Sequence, residues 1–354
     1  MDRTIHILSD HTFLPDRAGG RESSIHDLAC ALHQRGRKVQ VIAREGKMRE
    51  RVIRFLSGNF KPPYLLRRVR DPIAWACTEP AAGDIVIANL DNRNVRRFTK
   101  LFVGTLGYIY FRDAQNLDEL PSDEIKQRFI VLANSEFLAG ELSARCGLRA
   151  HIFPPVILGE RYRVSESGRY VTFVNPVPKK GLQIALAIAK LLPEIPFQFV
   201  EAWPLSAKAW KELKKLCAPL KNVSLLRRCD DMREIYKNTR VLLVPSLWEE
   251  GWGRVVTEAQ FSGIPSIVSN SGALPKVAGR GGVVIDRLAP PDVWAMAVNS
   301  AYLDGDTRER LKAGARAEAN TYSRLVDSIL QRLINLLDSD EKNAPQEIQI
   351  FNTG

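Results

Sequence analysis

Short apolar runs of strand length alternate with segments of helical periodicity along most of this chain, and this alternation limits its fold more than any other feature. The run Ile5-His6-Ile7-Leu8 precedes a glycine-bearing loop and a helix with apolar residues at positions 25, 28, 29 and 32. Strands separated by helices predict parallel sheets covered by helices. Further strands are predicted at 39–43, 85–88, 102–110 and 129–133. We therefore expect one doubly wound α/β unit here.

A proline pair and a polar stretch interrupt the alternation near the middle of the chain. Pro154-Pro155 cannot extend a helix or a central strand, and residues 159–169 show no apolar period. Strand-length runs resume at 170–174, 197–200, 223–226, 241–244 and 266–268. Because 354 residues suit two domains, we predict Rossmann-like domains at 1–157 and 158–321. A helix over 322–340 is expected to cross back to the first domain, and residues 341–354 to form a loose tail.

The composition indicates a globular protein of a reducing compartment. Apolar residues make up 45% of the chain and charged residues 26%. Its five cysteines have no CxxC spacing, which argues against a disulfide framework or a thiolate zinc site. The five histidines are scattered, so no metal site is expected. Since no run has the length of a membrane span or a signal peptide, we expect a cytoplasmic location.

The net charge of +11 favours anionic partners. Basic residues are concentrated between positions 47 and 70, where apolar residues are interleaved with them. This segment is typical of peripheral contact with an anionic membrane at its inner face, or of a site for an acidic or lipid-diphosphate acceptor. A solvated basic face is the alternative. Nucleic acid is not expected as a partner, because no nucleic-acid motif accompanies the charge.

The loop after the strand at 241–244 is the most informative segment for chemistry. From Pro245 to Gln260 it reads PSLWEEGWGRVVTEAQ. A buried strand here ends in a turn with two glycines that opens a helix, where free backbone N–H groups can bind a phosphate. Glu250 precedes this helix and Glu258 lies about a turn inside it. These carboxylates are candidates to hold sugar and ribose hydroxyls, or they only complement the helix dipole.

The run from Glu250 to Glu258 resembles the E-x7-E region of retaining glycosyltransferases of family 4. Members of that family have two Rossmann-like, doubly wound domains that face across a cleft, the GT-B fold. Several other motifs occur here in the order that the family shows: Gly19-Gly20, Asn134-Ser135-Glu136, Pro154-Pro155, Pro245-Ser246, Gly263-Ile264-Pro265 and Ser271-Gly272-Ala273-Leu274-Pro275. The resemblance covers roughly residues 5 to 335 and leaves out the charged segment around 45–80.

This resemblance implies the donor site. It assigns the donor ribose to Glu258, the donor sugar to Glu250, and the diphosphate to backbone N–H groups that follow. The family also carries an Arg and a Lys in the first loop of the second domain. Lys180 matches the Lys, but Pro176 stands at the Arg position, so Lys179 or Arg254 is a candidate for the missing positive charge. In a separate departure from the family pattern, Lys276 stands where the family usually has a Glu. The predicted donor site comprises Glu258, Glu250, Gly251, Trp252, Gly253, Arg254, Lys179, Lys180, Asn175, Arg227, Gly19 and Gly20.

The acceptor is expected on the first domain. The predicted acceptor residues are His11, Asp16, Arg21, Arg112 and Asp113, the last two standing where relatives carry a His. Asp113 is a candidate to take the proton of the acceptor hydroxyl and Arg112 to bind an anionic group. A surface ion pair is the alternative, and the departing phosphate oxygen can take the proton instead. The catalytic candidates are therefore Glu250, Asp113 and Lys180.

The resemblance implies a retaining hexosyltransferase that needs no metal or other cofactor. Its co-substrate is a nucleoside diphosphate sugar, with UDP- or GDP-sugars favoured, and its acceptor is a hydroxyl of a glycan, glycolipid or small-molecule glycoside. Two other classes stay open: a sugar-nucleotide epimerase or hydrolase of the same fold, and a non-catalytic sugar-nucleotide-binding protein.

Overall fold

Two parallel sheets, each covered by helices, organise the part of the chain that the computed structural model describes, residues 3–17, 19–46, 60–103, 107–165 and 168–338. Contacts divide the chain into a first unit, residues 1–156 together with those from Leu325 onward, and a second unit, residues 157–324. The predicted α/β class with two doubly wound sheets is confirmed.

The first unit has a seven-stranded sheet in the order β3-β2-β1-β4-β5-β6-β7, with every pairing parallel. Its apolar strand runs are buried because helices cover both faces, and Phe98, Phe102 and Phe129 cluster in its core. The strands are β1 (Thr4–Ser9), β2 (Lys38–Arg44), β3 (Leu65–Val69), β4 (Ile85–Asn89), β5 (Gly107–Phe111), β6 (Phe129–Ala133) and β7 (His151–Ile152). The helices are α1 (Gly20–Gln34), α2 (Pro72–Thr78), α3 (Asn92–Leu101), α4 (Ser122–Arg128) and α5 (Glu136–Cys146).

The second unit has a six-stranded parallel sheet in the order β10-β9-β8-β11-β12-β13. Phe173, Phe197, Phe199 and the fully buried Trp294 fill its core. The strands are β8 (Tyr170–Val174), β9 (Phe197–Val200), β10 (Val223–Leu226), β11 (Thr239–Val244), β12 (Ser266–Ser269) and β13 (Gly282–Ile285). The helices are α6 (Leu182–Leu191), α7 (Ala207–Cys217), α8 (Arg233–Tyr236), α9 (Arg254–Gln260), α10 (Leu274–Ala278), α11 (Pro291–Leu303) and α12 (Gly305–Asp338).

The strand order reverses direction once in each sheet, between β1 and β4 and between β8 and β11. In doubly wound sheets ligands bind beyond the carboxyl ends of the strands at this reversal. The loop after β11 is the one that carries Glu250, so the topology of the second unit places the E-x7-E segment beside the loop after β8.

Several predicted boundaries are wrong. The strand predicted at 102–110 does not include Phe102, which caps the C-terminus of α3 and packs its ring against Phe98; the described strand β5 is Gly107–Phe111. The helix predicted from residue 322 is the last part of α12, which runs unbroken from Gly305 to Asp338. The predictions missed three strands at sheet edges: β3, β7 and β13.

The basic segment at 47–70 lies only partly within the described ranges. Its last residues form β3, an edge strand in which Leu65 is 62% exposed, while Tyr64 beside it is buried. Residues 47–59, which carry half of the basic residues of this segment, and the predicted tail at 341–354 lie outside the described residues. Within the described ranges, no helix combines the length and the apolar composition that a membrane crossing requires.

Candidate active site

Three loops of the second unit meet at the carboxyl edge of its sheet. The loop after β8 carries Lys179 and Lys180, and the carbonyl of Lys179 accepts hydrogen bonds from the backbone of Leu247 and Trp248 in the loop after β11, at 3.1 and 3.0 Å. The carbonyl of Glu250 accepts from the backbone N–H of Ala273, in the loop after β12, at 2.8 Å. The three loops are therefore joined by their backbones before any ligand is considered.

The side chains of Lys180 and Glu250 form an ion pair across two of these loops. The Lys180 ammonium is hydrogen-bonded to Oε1 of Glu250, and the two side chains are only 14% and 13% exposed. Ser246, at the end of β11, donates to the same oxygen at 2.9 Å. The Ser246 carbonyl in turn accepts from the hydroxyls of Ser269 and Ser271 at 2.7 and 2.8 Å. A cation and a carboxylate are thus held together by fixed polar groups at a sheet edge.

Two glycines allow the loops to approach this closely. Gly181 has φ +87°, and a Cβ atom there would lie 1.9 Å from the Pro245 carbonyl oxygen. Gly272 has φ +60°, and its Cβ would lie 2.3 Å from the Glu250 carbonyl oxygen. Both the left-handed backbone and the close contact exclude a side chain. These positions set the distance between the loops that carry Lys180 and Glu250.

Glu258 lies on α9 in a buried network. Nε of Arg254 donates to its Oε1 at 2.9 Å, and the hydroxyl of Tyr236 donates to its Oε2 at 2.8 Å. Burial, together with the neighbouring Glu258 carboxylate, raises the pKa of Tyr236 well above its ordinary value, so this hydroxyl keeps its proton and donates. Arg254 also donates to the Tyr162 hydroxyl at 2.8 Å. Its guanidinium is therefore directed at Glu258 and Tyr162.

The other predicted donor residues lie around this centre. The Lys179 ammonium is 4.4 Å from the ring centre of Trp248 and 4.9 Å from that of Trp203. Asn175 has φ 62°, and its side chain accepts from the backbone of Ala202 and Trp203 at 3.2 and 2.6 Å. Gly251 and Trp252 precede Gly253, which is the N-cap of α9 with φ 90°. The structure therefore brings together the predicted residues of the loops after β8 and β11.

Arg227 lies in the loop after β10, apart from the Lys180–Glu250 pair. Its guanidinium carbon is 3.8 Å from the ring centre of Trp210, and one of its nitrogens is 3.2 Å from each carboxylate oxygen of Glu201. This side chain is 57% exposed. Among the donor residues predicted for the second unit, Arg227 thus has its contacts with Trp210 and Glu201 rather than with the Lys180–Glu250 pair.

Three of the predicted acceptor residues, His11, Arg21 and Asp113, gather at the carboxyl edge of the first unit's sheet, around Asp10. This buried carboxylate follows β1 and accepts from the Asp91 N–H at 2.8 Å and the Asn94 amide at 2.6 Å. Arg21 lies 3.5 Å from Asp10 and 3.6 Å from Asp113, so it links both loops. Arg112 donates to the side-chain oxygen of Asn89 at 2.8 Å.

Two titratable groups of this edge are shifted by burial. An Arg17 nitrogen lies 3.1 Å from Nδ1 of His11, and because a guanidinium only donates, that nitrogen accepts and the imidazole proton is on Nε2. Burial lowers the pKa of His11, opposed by Asp10 and aided by Arg21 and Arg17. Burial raises the pKa of Glu22, a carboxyl in the first turn of α1 that Arg17 approaches to 3.4 Å.

The remaining predicted residues of the first unit have structural partners. Asp16 lies 3.8 Å from the Arg68 guanidinium, at the end of β3. Gly19 is the N-cap of α1 in an extended conformation, and Gly20 is its first helical residue. Among the described residues, no group of three or more His, Cys, Asp or Glu side chains is placed to hold a metal ion.

Sequence reasoning missed several residues that shape these sites. Tyr236 is a buried aromatic residue, which in a sequence looks like ordinary core, but its hydroxyl is bonded to Glu258. Tyr162 stands in a polar stretch without periodicity, so no sequence signal links it to Arg254. Asp10 directly follows an apolar strand, and that position at a strand end is a signal that would have found it.

The second unit matches a family model described as Glycosyl transferases group 1, over residues 161–318. Spore coat protein SA of Bacillus subtilis is 31% identical over 105 residues, which are 28% of each chain. D-inositol 3-phosphate glycosyltransferase of Corynebacterium jeikeium is 30% identical over 171 residues, 44% of this chain and 40% of that protein. The chain thus aligns with well under half the length of these relatives.

Solved structures of similar fold extend over nearly the whole chain. Anabaena Alr3699/HepE in complex with UDP-glucose has a TM-score of 0.73 at 16% identity, covering 94% of this chain and 99% of that one. Sucrose-phosphate synthase from Thermosynechococcus elongatus has a TM-score of 0.74 at 14% identity, with 94% and 98% covered. At these identities the likeness establishes a shared fold.

Proposed function

We propose that this protein is a retaining, metal-independent hexosyltransferase. The premise is that residues 161–318 match the group 1 glycosyl transferases and that the chain has the GT-B fold. The protein transfers a sugar from a nucleoside diphosphate sugar, with UDP- or GDP-sugars as favoured donors. The acceptor is a hydroxyl of a glycan, glycolipid or small-molecule glycoside. The UDP-glucose bound to the Anabaena protein supports the donor class.

The observation that carries this proposal is the Lys180–Glu250 ion pair beside the buried Glu258. A lysine ammonium at a sheet edge suits a phosphate group, and two carboxylates eight residues apart offer acceptors to sugar hydroxyls. An ion pair that only stabilised the fold would not explain why a second carboxylate, that of Glu258 on α9, is buried as well. The arrangement fits a ligand that is both anionic and rich in hydroxyls, as a sugar nucleotide is.

The proposed chemistry depends on charge that develops on the leaving group. As the bond between sugar and diphosphate breaks, negative charge grows on the departing phosphate oxygen. Lys180 would exchange its bond to Glu250 for one to this phosphate, and the carboxylate of Glu250 would then be available to a sugar hydroxyl. The proton of the acceptor hydroxyl goes to the departing phosphate oxygen or to Asp113.

The acceptor is proposed to bind the carboxyl edge of the first unit, where Asp10, Arg21 and Asp113 lie together. Charged groups of both signs occur there, so the edge suits hydroxyl-bearing ligands with or without an acidic group. A cytoplasmic location with peripheral membrane contact through residues 47–70 is also part of this proposal.

The test is a transfer assay with a panel of sugar nucleotides and acceptor extracts, followed by mass spectrometry and by NMR of the anomeric proton. We expect a glycoside product with retained configuration and a rate that excess EDTA leaves unchanged. Glu250→Gln should lower kcat by about 100-fold or more, the scale measured for losing a single electrostatic contact in a transition state. Glu249→Gln is the matched control, because Glu249 is the neighbouring carboxylate, 48% exposed, and lies near Arg287.

Other outcomes distinguish the alternatives. Free sugar or an epimerised donor formed without acceptor would show a hydrolase or an epimerase. Donor binding in calorimetry without turnover on any acceptor would show a binding protein. A rate abolished by EDTA and restored by a divalent cation would refute metal independence.

A further inference from the structure

The Glu258 carboxylate is buried, and each of its oxygens accepts a hydrogen bond from a protein side chain. Its side chain and that of Arg254 are only 7% and 8% exposed, and their ion pair lies within one turn of α9. A buried carboxylate is costly unless its charge is compensated and its oxygens accept hydrogen bonds. Arg254 and Tyr236 supply one donor to each oxygen, at 2.9 and 2.8 Å. The carboxylate plane is therefore held at both oxygens.

Arg254 is itself held from the other side. The Tyr162 hydroxyl accepts a hydrogen bond from the Arg254 guanidinium at 2.8 Å, and Tyr162 is only 5% exposed. The backbone around Tyr162 is tied to the end of α9 by Ser262, whose hydroxyl accepts from Val164 N–H at 2.9 Å and lies 3.3 Å from the Tyr162 carbonyl. The guanidinium is thus fixed at two points and cannot turn away from Glu258 without breaking a buried hydrogen bond.

A carboxylate oxygen accepts about two hydrogen bonds, so each oxygen of Glu258 keeps capacity for one more donor. Since a carboxylate oxygen can only accept, this remaining capacity is suited to donors such as the hydroxyl groups of a ligand. Two neighbouring hydroxyls, such as the 2′- and 3′-hydroxyls of a ribose, match two oxygens of one fixed carboxylate. A 2′-deoxyribose would leave one oxygen without its donor.

We propose that Arg254 is a positioning residue which, held by Tyr162 and acting with Tyr236, orients the Glu258 carboxylate so that the site selects ribonucleotides over 2′-deoxyribonucleotides. This inference rests on the proposed function, since it takes the ligand to be a nucleoside diphosphate. It assigns Arg254, Tyr162 and Tyr236 an effect on nucleotide specificity that acts through Glu258.

The experiment measures binding of UDP and GDP, each with its 2′-deoxy counterpart, to the full chain by calorimetry. A hydrogen bond to a charged group is worth a factor of about 10 to 100 in Kd, and we expect that preference for the ribonucleotide in the unaltered protein. Arg254→Met should reduce the preference to about threefold or less, while Tyr162→Phe and Tyr236→Phe should each reduce it partly.

Two variants elsewhere in the second unit serve as matched controls. Tyr302→Phe removes a hydroxyl that donates to the Arg169 carbonyl at 2.6 Å, and Arg240→Met removes a guanidinium that donates to the Tyr302 carbonyl at 2.9 Å. Both variants lose a bond of the same type that involves neither Glu258 nor Arg254, Tyr162 or Tyr236, so their ribose preference should equal that of the unaltered protein.

The outcomes separate this inference from the proposed function. If neither nucleotide binds the unaltered protein, the proposed function fails. If a nucleotide binds, but Arg254→Met, shown by circular dichroism to be folded, keeps the full ribose preference, the positioning role is refuted while the function stands. Should Arg254→Met not fold, the two Tyr→Phe variants decide, and an undiminished preference in both overturns the inference.

Discussion

Lys180 and Glu250, 70 residues apart in the chain, form an ion pair in which both side chains are largely buried. Each belongs to a different loop at the strand-order reversal of the second sheet. Their pairing joins two segments that sequence patterns treat separately, and it has consequences for stability as well as for the proposed transfer.

We expect Lys180→Met and Glu250→Gln each to lower the free energy of unfolding by about 2 kcal/mol, because each leaves a partly buried partner without compensation. The double variant should lose less than the sum, with a coupling energy of about 1 to 3 kcal/mol. Chemical denaturation of the four proteins measures this. Additive losses would show that the pair contributes nothing as a pair.

The neighbouring lysines of the loop after β8 should differ in their effect on donor binding. Lys180 is mostly buried beside Glu250, whereas Lys179 is exposed and rests against Trp203 and Trp248. Exposed charges are screened by solvent, so Lys180→Gln should weaken binding of the best sugar nucleotide about 10-fold or more and Lys179→Gln about threefold or less. Calorimetric titration compares them. Equal effects, or a larger one at Lys179, would reverse our assignment of the phosphate contact.

Gly181→Ala should destabilise the protein far more than Gly83→Ala. The two glycines have nearly the same φ, +87° and +88°, but a Cβ at Gly83 has no atom within 4 Å while one at Gly181 overlaps the Pro245 carbonyl. The left-handed backbone costs about 1 to 2 kcal/mol at either position, and the overlap adds roughly 1 to 3 kcal/mol at Gly181. Unfolding monitored by fluorescence tests this, and similar losses would mean that the loops can separate.

Glu22→Gln should stabilise the first unit increasingly as the pH rises. Burial raises the pKa of Glu22 above its unfolded value of 4.5. Below pH 4.5 the protonated carboxyl contributes its full share to the stability of the folded protein, and this share is lost as the pH rises through the folded pKa. Glutamine does not titrate, and the variant should therefore be the more stable protein at pH 7.5, with the difference vanishing near pH 4. Denaturation across this pH range measures it. A variant less stable at pH 7.5 would show that the contacts of the ionised Glu22, such as that with Arg17, outweigh the cost of burying its charge.

The fold was largely predictable because buried parallel strands must be apolar runs and the helices between them must carry an apolar stripe. Strands β1, β2, β4 and β6 of the first unit, and β8 to β12 of the second, follow such runs. The edge strands β3, β7 and β13 escaped prediction because an edge is half exposed: β3 contains Arg67 and Arg68, and β13 is nowhere fully buried. The continuity of α12 was missed because its first half buries small residues such as Ala315 and Ala319, whose apolar signal in a sequence is weak.

Sequence alone determined which loops carry the candidate chemistry, because a strand end, a glycine turn and charged residues are all local features. Only the tertiary structure decided which side chains are partners. Lys180 meets Glu250, and Glu258 meets Tyr236 and, through Arg254, Tyr162, by contacts between residues 22 to 92 positions apart. Such contacts depend on the order of strands in the sheet and on how closely the loops approach, and neither is encoded in the periodicity of any single segment.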